Sequence, residues 1–182
     1  VYKRQNYERF LGDVNWRKKA KGEIVVFTDA DTTLKRDFLE YILPHFKDRT
    51  VGAVSGKVIS NKKNWLTASR EIEYIIGQGI HKSGQAALGS IMVVPGCAGA
   101  FRKKLIKKAK FDHDTVTEDM DLTFKIHKLG YKIIYEPRAV VYTNDPYDIR
   151  SYARQLIRWY SGSLQIIKKH KDIIGCLLYT SP

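Results

Sequence analysis

Apolar positions along the chain alternate between two spacings, and the alternation predicts an α/β protein. Ile24-Val25-Val26-Phe27 is a continuous apolar run bounded by Gly22 and by acids, the pattern of a strand buried in a parallel sheet. From Asp37 to Phe46 the spacing becomes helical, with Phe38, Leu39, Ile42, Leu43 and Phe46 on one stripe. Val51 to Ile59 reads as the next strand, and its two glycines point to a bulge or a close approach. Trp65 to His81 is expected to be a helix with Ile72, Ile75, Ile76 and Ile80 on one side, and Ser90 to Val94 a third strand stopped by Pro95-Gly96.

The second half repeats the alternation. Glu118 to Leu129 predicts a helix with Leu122, Ile126 and Leu129 inward and Gly130 as its C-terminal stop. Tyr131 to Tyr135 and Ala139 to Tyr142 read as strands separated by a turn around Pro137. Asp148 to Lys169 is the longest helix, interleaving Tyr152, Leu156, Trp159 and Leu164 with Arg150, Arg154, Arg158, Lys168 and Lys169. Strand and helix in turn give a three-layer α/β domain, with no internal repeat and no low-complexity linker.

Composition changes this picture little. The 182 residues suit one domain with a real core, and 43% hydrophobic and 28% charged residues are ordinary for a globular chain. The net charge of +13 suggests an anionic partner such as nucleic acid, acidic lipid or a phosphorylated substrate. No run of about eighteen apolar residues occurs, so no transmembrane helix is expected within this stretch, which says nothing of a longer parent protein. The most apolar stretch, Ala86 to Phe101, is broken by Gly89, Pro95, Gly96 and Gly99.

The two ends are expected to lie outside the native protein. Val1-Tyr2-Lys3-Arg4-Gln5 can be written as GTG TAT AAG AGA CAG. Its reverse complement, read one base in, encodes Cys176-Leu177-Leu178-Tyr179-Thr180. Residues 1–5 and 176–182 therefore read as adapter-derived and 6–175 as native sequence. Without Lys3 and Arg4 the balance is 30 basic against 19 acidic residues, or +11, and Cys97 is the one native cysteine. It can form no internal disulfide, which fits a reducing compartment.

Three short clusters carry candidate chemistry. Asp29-Ala30-Asp31 follows the first strand, where open α/β sheets bind ligands, and its alternate carboxylates suit a hard divalent cation. A solvated acidic turn or a helix cap at Asp31 would give the same letters. Thr117-Glu118-Asp119 opens a helix whose dipole keeps a first-turn carboxylate ionised. Capping by Thr117, with Glu118, Asp119 and Asp121 merely decorating the N-terminus, is the plain alternative. Gln155, Arg158 and Trp159 stand at i, i+3 and i+4 and project from one helical face. Arg158 can neutralise a diphosphate, Trp159 can stack on a sugar ring, and Gln155 can hydrogen-bond either ligand. An amphipathic helix with a core tryptophan and solvated arginines is the alternative there.

In this order the clusters resemble the DxD, TED and QxxRW signatures of processive family 2 glycosyltransferases, the inverting enzymes that build cellulose, chitin, hyaluronan and poly-N-acetylglucosamine. The resemblance runs from about Asn15 to His170. It implies the C-terminal part of a GT-A fold, a Rossmann-like three-layer nucleotide-sugar domain. It further implies transfer of a hexose or N-acetylhexosamine from a UDP-sugar to a growing polysaccharide. By resemblance Asp119 is the general base and Asp121 the second choice. Asp29 and Asp31 hold Mg or Mn, while Glu118, Gln155, Arg158 and Trp159 contact the nucleotide sugar. Pro95 to Arg102 resembles the small-residue loop beneath the acceptor, which brings in Gly96 and Cys97, the latter equally readable as a small buried hydrophobe. The family's tryptophan-bearing helix lies at a membrane interface, so a membrane protein with its catalytic domain on the cytoplasmic face is expected. Arg154 is expected to meet lipid or solvent.

The chain departs from the family in two places. By the resemblance, the first half of the nucleotide-binding unit is expected to lie outside this sequence. Phe10 to Asn15 keeps a glycine and Asn15 of a lysine-glycine-asparagine element but no lysine. The five histidines show no metal-site spacing, and His113, near Asp119, reads as structural. A non-processive family 2 transferase acting on a lipid or protein remains an alternative. So does a basic nucleic-acid-binding domain, against which the dispersed charge and lack of a binding motif argue.

Overall fold

The computed structural model describes residues 2–4, 20–109 and 115–172. In chain order these form β1 (Tyr2–Arg4), β2 (Ile24–Asp29), β3 (Thr33–Leu34), α1 (Phe38–Ile42) running into a 3-10 turn (Leu43–Lys47), and β4 (Val51–Ser60). A long helical run follows, built of α2 (Trp65–Tyr74), a π-helical stretch (Ile75–Lys82) and α3 (Ser83–Ala87). Then come β5 (Gly99–Arg102), α4 (Lys103–Ala109), α5 (Glu118–Lys128), β6 (Lys132–Thr143) and α6 (Ile149–Lys169). The ends at 1 and 173–182, the Phe10–Asn15 element, Trp16 and His113 lie outside the described residues.

The strands make one sheet in the order β1-β2-β5-β4-β6-β3. It is mixed: β1 with β2 and β4 with β6 are parallel, whereas β5 runs antiparallel to both β2 and β4. The apolar run at Ile24–Phe27 was expected in a parallel sheet; its continuity reflects burial on both faces instead. Val25 and Phe27 enter one core with Ala53, Phe101, Leu105, Ile106, Leu122 and Ile126. Val26 enters the other with Phe38, Ile42, Phe46, Val54, Ala100 and Val141. The sheet is thus the middle of three layers.

Both strand glycines sit where the ladder between β4 and β6 shifts register. A β-carbon at Gly52 would stand 2.7 Å from Tyr131 Cβ, and one at Gly56 would stand 2.6 Å from the Ala139 carbonyl oxygen. Pro137 does not end a strand. β6 continues through it, bulging between the pairs Ser55–Tyr135 and Lys57–Val140, so the proline that cannot donate to the ladder is absorbed there.

Ser90–Val94 is not a strand. Met92 N–H donates to Gln85 Oε1 at 3.2 Å and Val94 N–H to Thr123 Oγ1 at 3.0 Å, so side chains satisfy the backbone that a ladder would have used. The third strand, β5, lies later, inside the small-residue segment, where periodicity gives no signal. The isoleucine side of the long helical run faces outward, with Ile72 60% and Ile80 65% exposed. The opposite, polar side is the buried one.

Candidate active site

Each element end that faces the C-terminal edge of β2 contributes to one cavity of about 380 Å³. β2 supplies Asp29, and a turn closed by Thr32 N–H on the Asp29 carbonyl (3.2 Å) carries Asp31. Asn144 Nδ2 donates to the Asp31 carbonyl at 3.2 Å, tying this turn to the end of β6. Gly96 and Cys97 come from the loop before β5, and Glu118 and Asp119 from the first turn of α5. Gln155, Arg158 and Trp159 come from a single face of α6. All nine residues singled out from the sequence line this cavity. Arg154 does not; it is exposed and donates to Ser151 Oγ.

Asp119 joins two of these pieces. Its Oδ2 accepts from Gly96 N–H at 3.3 Å and its Oδ1 from Met120 N–H at 2.9 Å, so both oxygens sit among backbone dipoles at a helix start. Thr117 makes no side-chain cap on α5, so the capping half of the plain alternative does not occur, while Glu118, Asp119 and Asp121 do stand in the first turn. Asp121, the second choice for the base, points away. It is 2% exposed, accepts from or pairs with His170 Nε2 at 2.8 Å, and forms ion pairs with Lys125 at 2.7 Å and Lys169 at 3.2 Å. Burial alone would raise its carboxyl, but hydrogen bonds from Lys125 and His170 outweigh it and hold the group below the ordinary carboxylate value. Asp121 is not among the residues that line the cavity.

The long helical run supplies residues that the sequence reading passed over. Arg70, Tyr74, Gln78 and Lys82 recur every four positions on its buried side, and the last three line the cavity. Gln78 brackets Val58 with both ends of its amide, at 2.8 Å each, extending the edge of β4 beyond the end of β5. Lys82 is 7% exposed, donates to Ser55 Oγ at 3.1 Å and sits 5.6 Å from the Tyr135 ring. Burial lowers its pKa to about 8, with Cys97 and Asp119 pulling weakly the other way. Burial, helped by Asp29 and Asp119, pushes the Cys97 thiol up, so it is a neutral wall of the cavity. The i, i+4 polar stripe opposite the isoleucines was a readable signal for this set.

Asp29 and Asp31 are hard oxygen donors on one rim and fit a divalent cation. Among the described residues no cluster of three His, Cys, Asp or Glu could hold a metal. The remaining ligands would come from a diphosphate and water, as suits Mg²⁺.

The profile described as Glycosyl transferase family group 2 matches residues 24–181. The chain belongs to this family. Among its relatives is the poly-β-1,6-N-acetyl-D-glucosamine synthase of Staphylococcus epidermidis, 34% identical over 153 residues. The synthase of the same description from Staphylococcus aureus strain COL is 32% identical over the same length. Each match covers 82% of this chain but 37% of the relative, so this family 2 chain spans little more than a third of their length. A mannosyltransferase of Pyrobaculum calidifontis, solved with GDP-Man and Mn²⁺, superposes with a TM-score of 0.64 at 26% identity, covering 91% of this chain and 44% of that one. Staphylococcus aureus TarS, residues 1–349 with UDP-GlcNAc, gives 0.51 at 18% identity over 75% of this chain and 38% of that one, a likeness of fold alone. The family 2 domain therefore has the GT-A architecture that its sequence implied.

Proposed function

We propose that this cavity transfers a sugar from a UDP-sugar to a hydroxyl of a growing polysaccharide, with inversion and within a longer, membrane-associated synthase. The observation that carries the reading is the position of Asp119. Its carboxylate shares one cavity with the Asp29 and Asp31 pair and with Gln155, Arg158 and Trp159.

In this reading Trp159 supports the acceptor ring and Asp119 takes the proton from its attacking hydroxyl. That oxygen forms a bond to the anomeric carbon on the face opposite the diphosphate. The bond from that carbon to the diphosphate oxygen breaks, and UDP leaves with the electron pair. The guanidinium of Arg158 offsets the charge gathering on the leaving group. A divalent cation held by Asp29 and Asp31 would supply further electrostatic stabilisation of that charge. Lys82 adds a buried positive charge on the floor of the same cavity.

N-acetylglucosamine is the favoured sugar because the synthases of both staphylococci carry it in their descriptions. The membrane element rests on the outward apolar residues of the helices that wall the cavity. Ile72, Ile76 and Ile80 on one and Ile157, Tyr160 and Leu164 on the other are exposed. Among the described residues no helix is long and apolar enough to cross a membrane. The test offers UDP-GlcNAc, UDP-glucose and GDP-mannose, each with Mg²⁺ or Mn²⁺, to membranes containing the full-length protein. Polymer from UDP-GlcNAc is expected. Transfer from GDP-mannose alone would replace the donor assignment, and transfer from none would overturn the reading.

A further inference from the structure

Arg70 occupies the centre of α2's buried stripe, is 2% exposed, and does not line the cavity. Its guanidinium carbon lies 4.9 Å from the ring centre of Tyr74, 5.0 Å from that of Tyr152 and 5.2 Å from that of Trp159. The edge of the same group is held in place. One terminal nitrogen pairs with Glu73; the other donates to Tyr74 Oη at 3.3 Å and faces Asp145 Oδ1 at 3.7 Å. The partners hold one another as well, since Tyr74 donates to Asp145 at 2.9 Å and Tyr152 to Glu73 at 2.7 Å. Two helices and the segment after β6 thus close around one planar cation, and this electron-poor group meets the ring of the tryptophan proposed to bear the acceptor.

We propose that Arg70 is a positioning residue that fixes the ring of Trp159 against the cavity, with Asp145 as its buried counter-charge. The physical grounds are geometric. A guanidinium clamped by Glu73, Tyr74 and Asp145 cannot turn, so a ring attracted to it is restricted to one orientation. Without it, Trp159 is a half-buried side chain with exposed neighbours at Ile157 and Tyr160. An ammonium in place of the guanidinium would keep the charge opposite Asp145 but lose the planar fork.

The inference rests on the reading of Trp159 as an acceptor platform, and the experiment separates the two. Full-length protein in membranes is given UDP-GlcNAc, and polymer and free N-acetylglucosamine are both measured. Their ratio is independent of how much protein folds. Arg70→Lys keeps the buried charge pair. The double variant Arg70→Met with Asp145→Asn removes both charges together, so that no lone carboxylate is buried. Each is expected to lower the ratio about fivefold, the size of one cation–π contact, with the KM for donor unchanged. In a Trp159→Ala background neither should lower it further. A normal ratio in Trp159→Ala would sink the platform reading and this inference with it. A low ratio in Trp159→Ala with normal ratios in both Arg70 variants, or a further additive loss in the combined variants, would overturn the role of Arg70 alone.

Discussion

Gly162 of α6 lies against Thr117, the residue that opens α5: a β-carbon at 162 would stand 2.5 Å from Thr117 Cγ2 and 2.8 Å from its Oγ1. The helix that carries Gln155, Arg158 and Trp159 therefore meets the start of the helix that carries Asp119 with no room for a methyl group. This contact, with Ile166 packed on Met120 and Phe124, holds the two helices together beside the cavity. Gly162→Ala should gain about 1 kcal/mol of helix propensity, and overpacking of about 1–3 kcal/mol should outweigh it. The helices would move apart and transfer should fall at least about tenfold, because a displacement near 1 Å already costs more than that in a positioned reaction. Adding Thr117→Ala should restore part of the loss. Turnover of the single and double variants measures this, and full activity in Gly162→Ala would show that the contact is not limiting.

The acid two residues beyond Asp119 should behave differently. Asp121 is surrounded by Lys125, Lys169 and His170, so Asp121→Asn leaves two half-buried lysines without their shared anion and weakens the contact to the buried His170 ring. A loss on the order of 3 kcal/mol in stability is expected at pH 7, with turnover per folded molecule little changed. Because the folded pKa of Asp121 is lowered, its contribution is present above the ordinary carboxylate value and fades as pH falls through the folded value. The gap between wild type and variant in urea unfolding should therefore close on acidification. A gap that is constant with pH would contradict the ion-pair account.

Lys82 carries the opposite sign. Its pKa falls from 10.5 to about 8 on folding, so between those values the unfolded chain binds more protons and stability rises with pH. Tyr74, Tyr135 and Cys97, whose values burial raises, work against that rise. The informative quantity is the difference from Lys82→Met. Wild type should gain on the variant by about 3 kcal/mol as pH goes from 8 to 10.5, and be the less stable of the two at pH 7 if packing is preserved. Unfolding curves at several pH values decide it, and parallel curves would mean that Lys82 is not desolvated.

Much of this site was legible because its chemistry is short-range in sequence. Asp29 and Asp31 sit at a strand end, Glu118 and Asp119 in a first helical turn, and Gln155, Arg158 and Trp159 at helical spacing on one face. Local geometry alone makes each a unit. What local pattern cannot give is which face of a helix turns inward. Ile72, Ile75, Ile76 and Ile80 share one side of the helix as their spacing predicts, yet that side faces outward, and the buried side is Arg70, Tyr74, Gln78 and Lys82. The strand pattern failed for a related reason. Ser90 to Val94 is apolar enough for a strand, but the side chains of Gln85 and Thr123 take its backbone donors, and the ladder passes instead to Gly99–Arg102. A sheet that reverses direction at β5 leaves no trace in hydrophobic periodicity.

The account turns on Asp119, and one substitution tests it most directly. Asp119→Asn keeps the size of the side chain and its acceptor for Met120 N–H, but an amide cannot take the acceptor's proton. In the full-length protein, binding of UDP-GlcNAc and transfer are to be measured on the same preparation. Binding near that of wild type with turnover down by about a thousandfold or more is the predicted result. Lost binding with turnover per bound donor intact would contradict the account and make Asp119 a structural residue of α5.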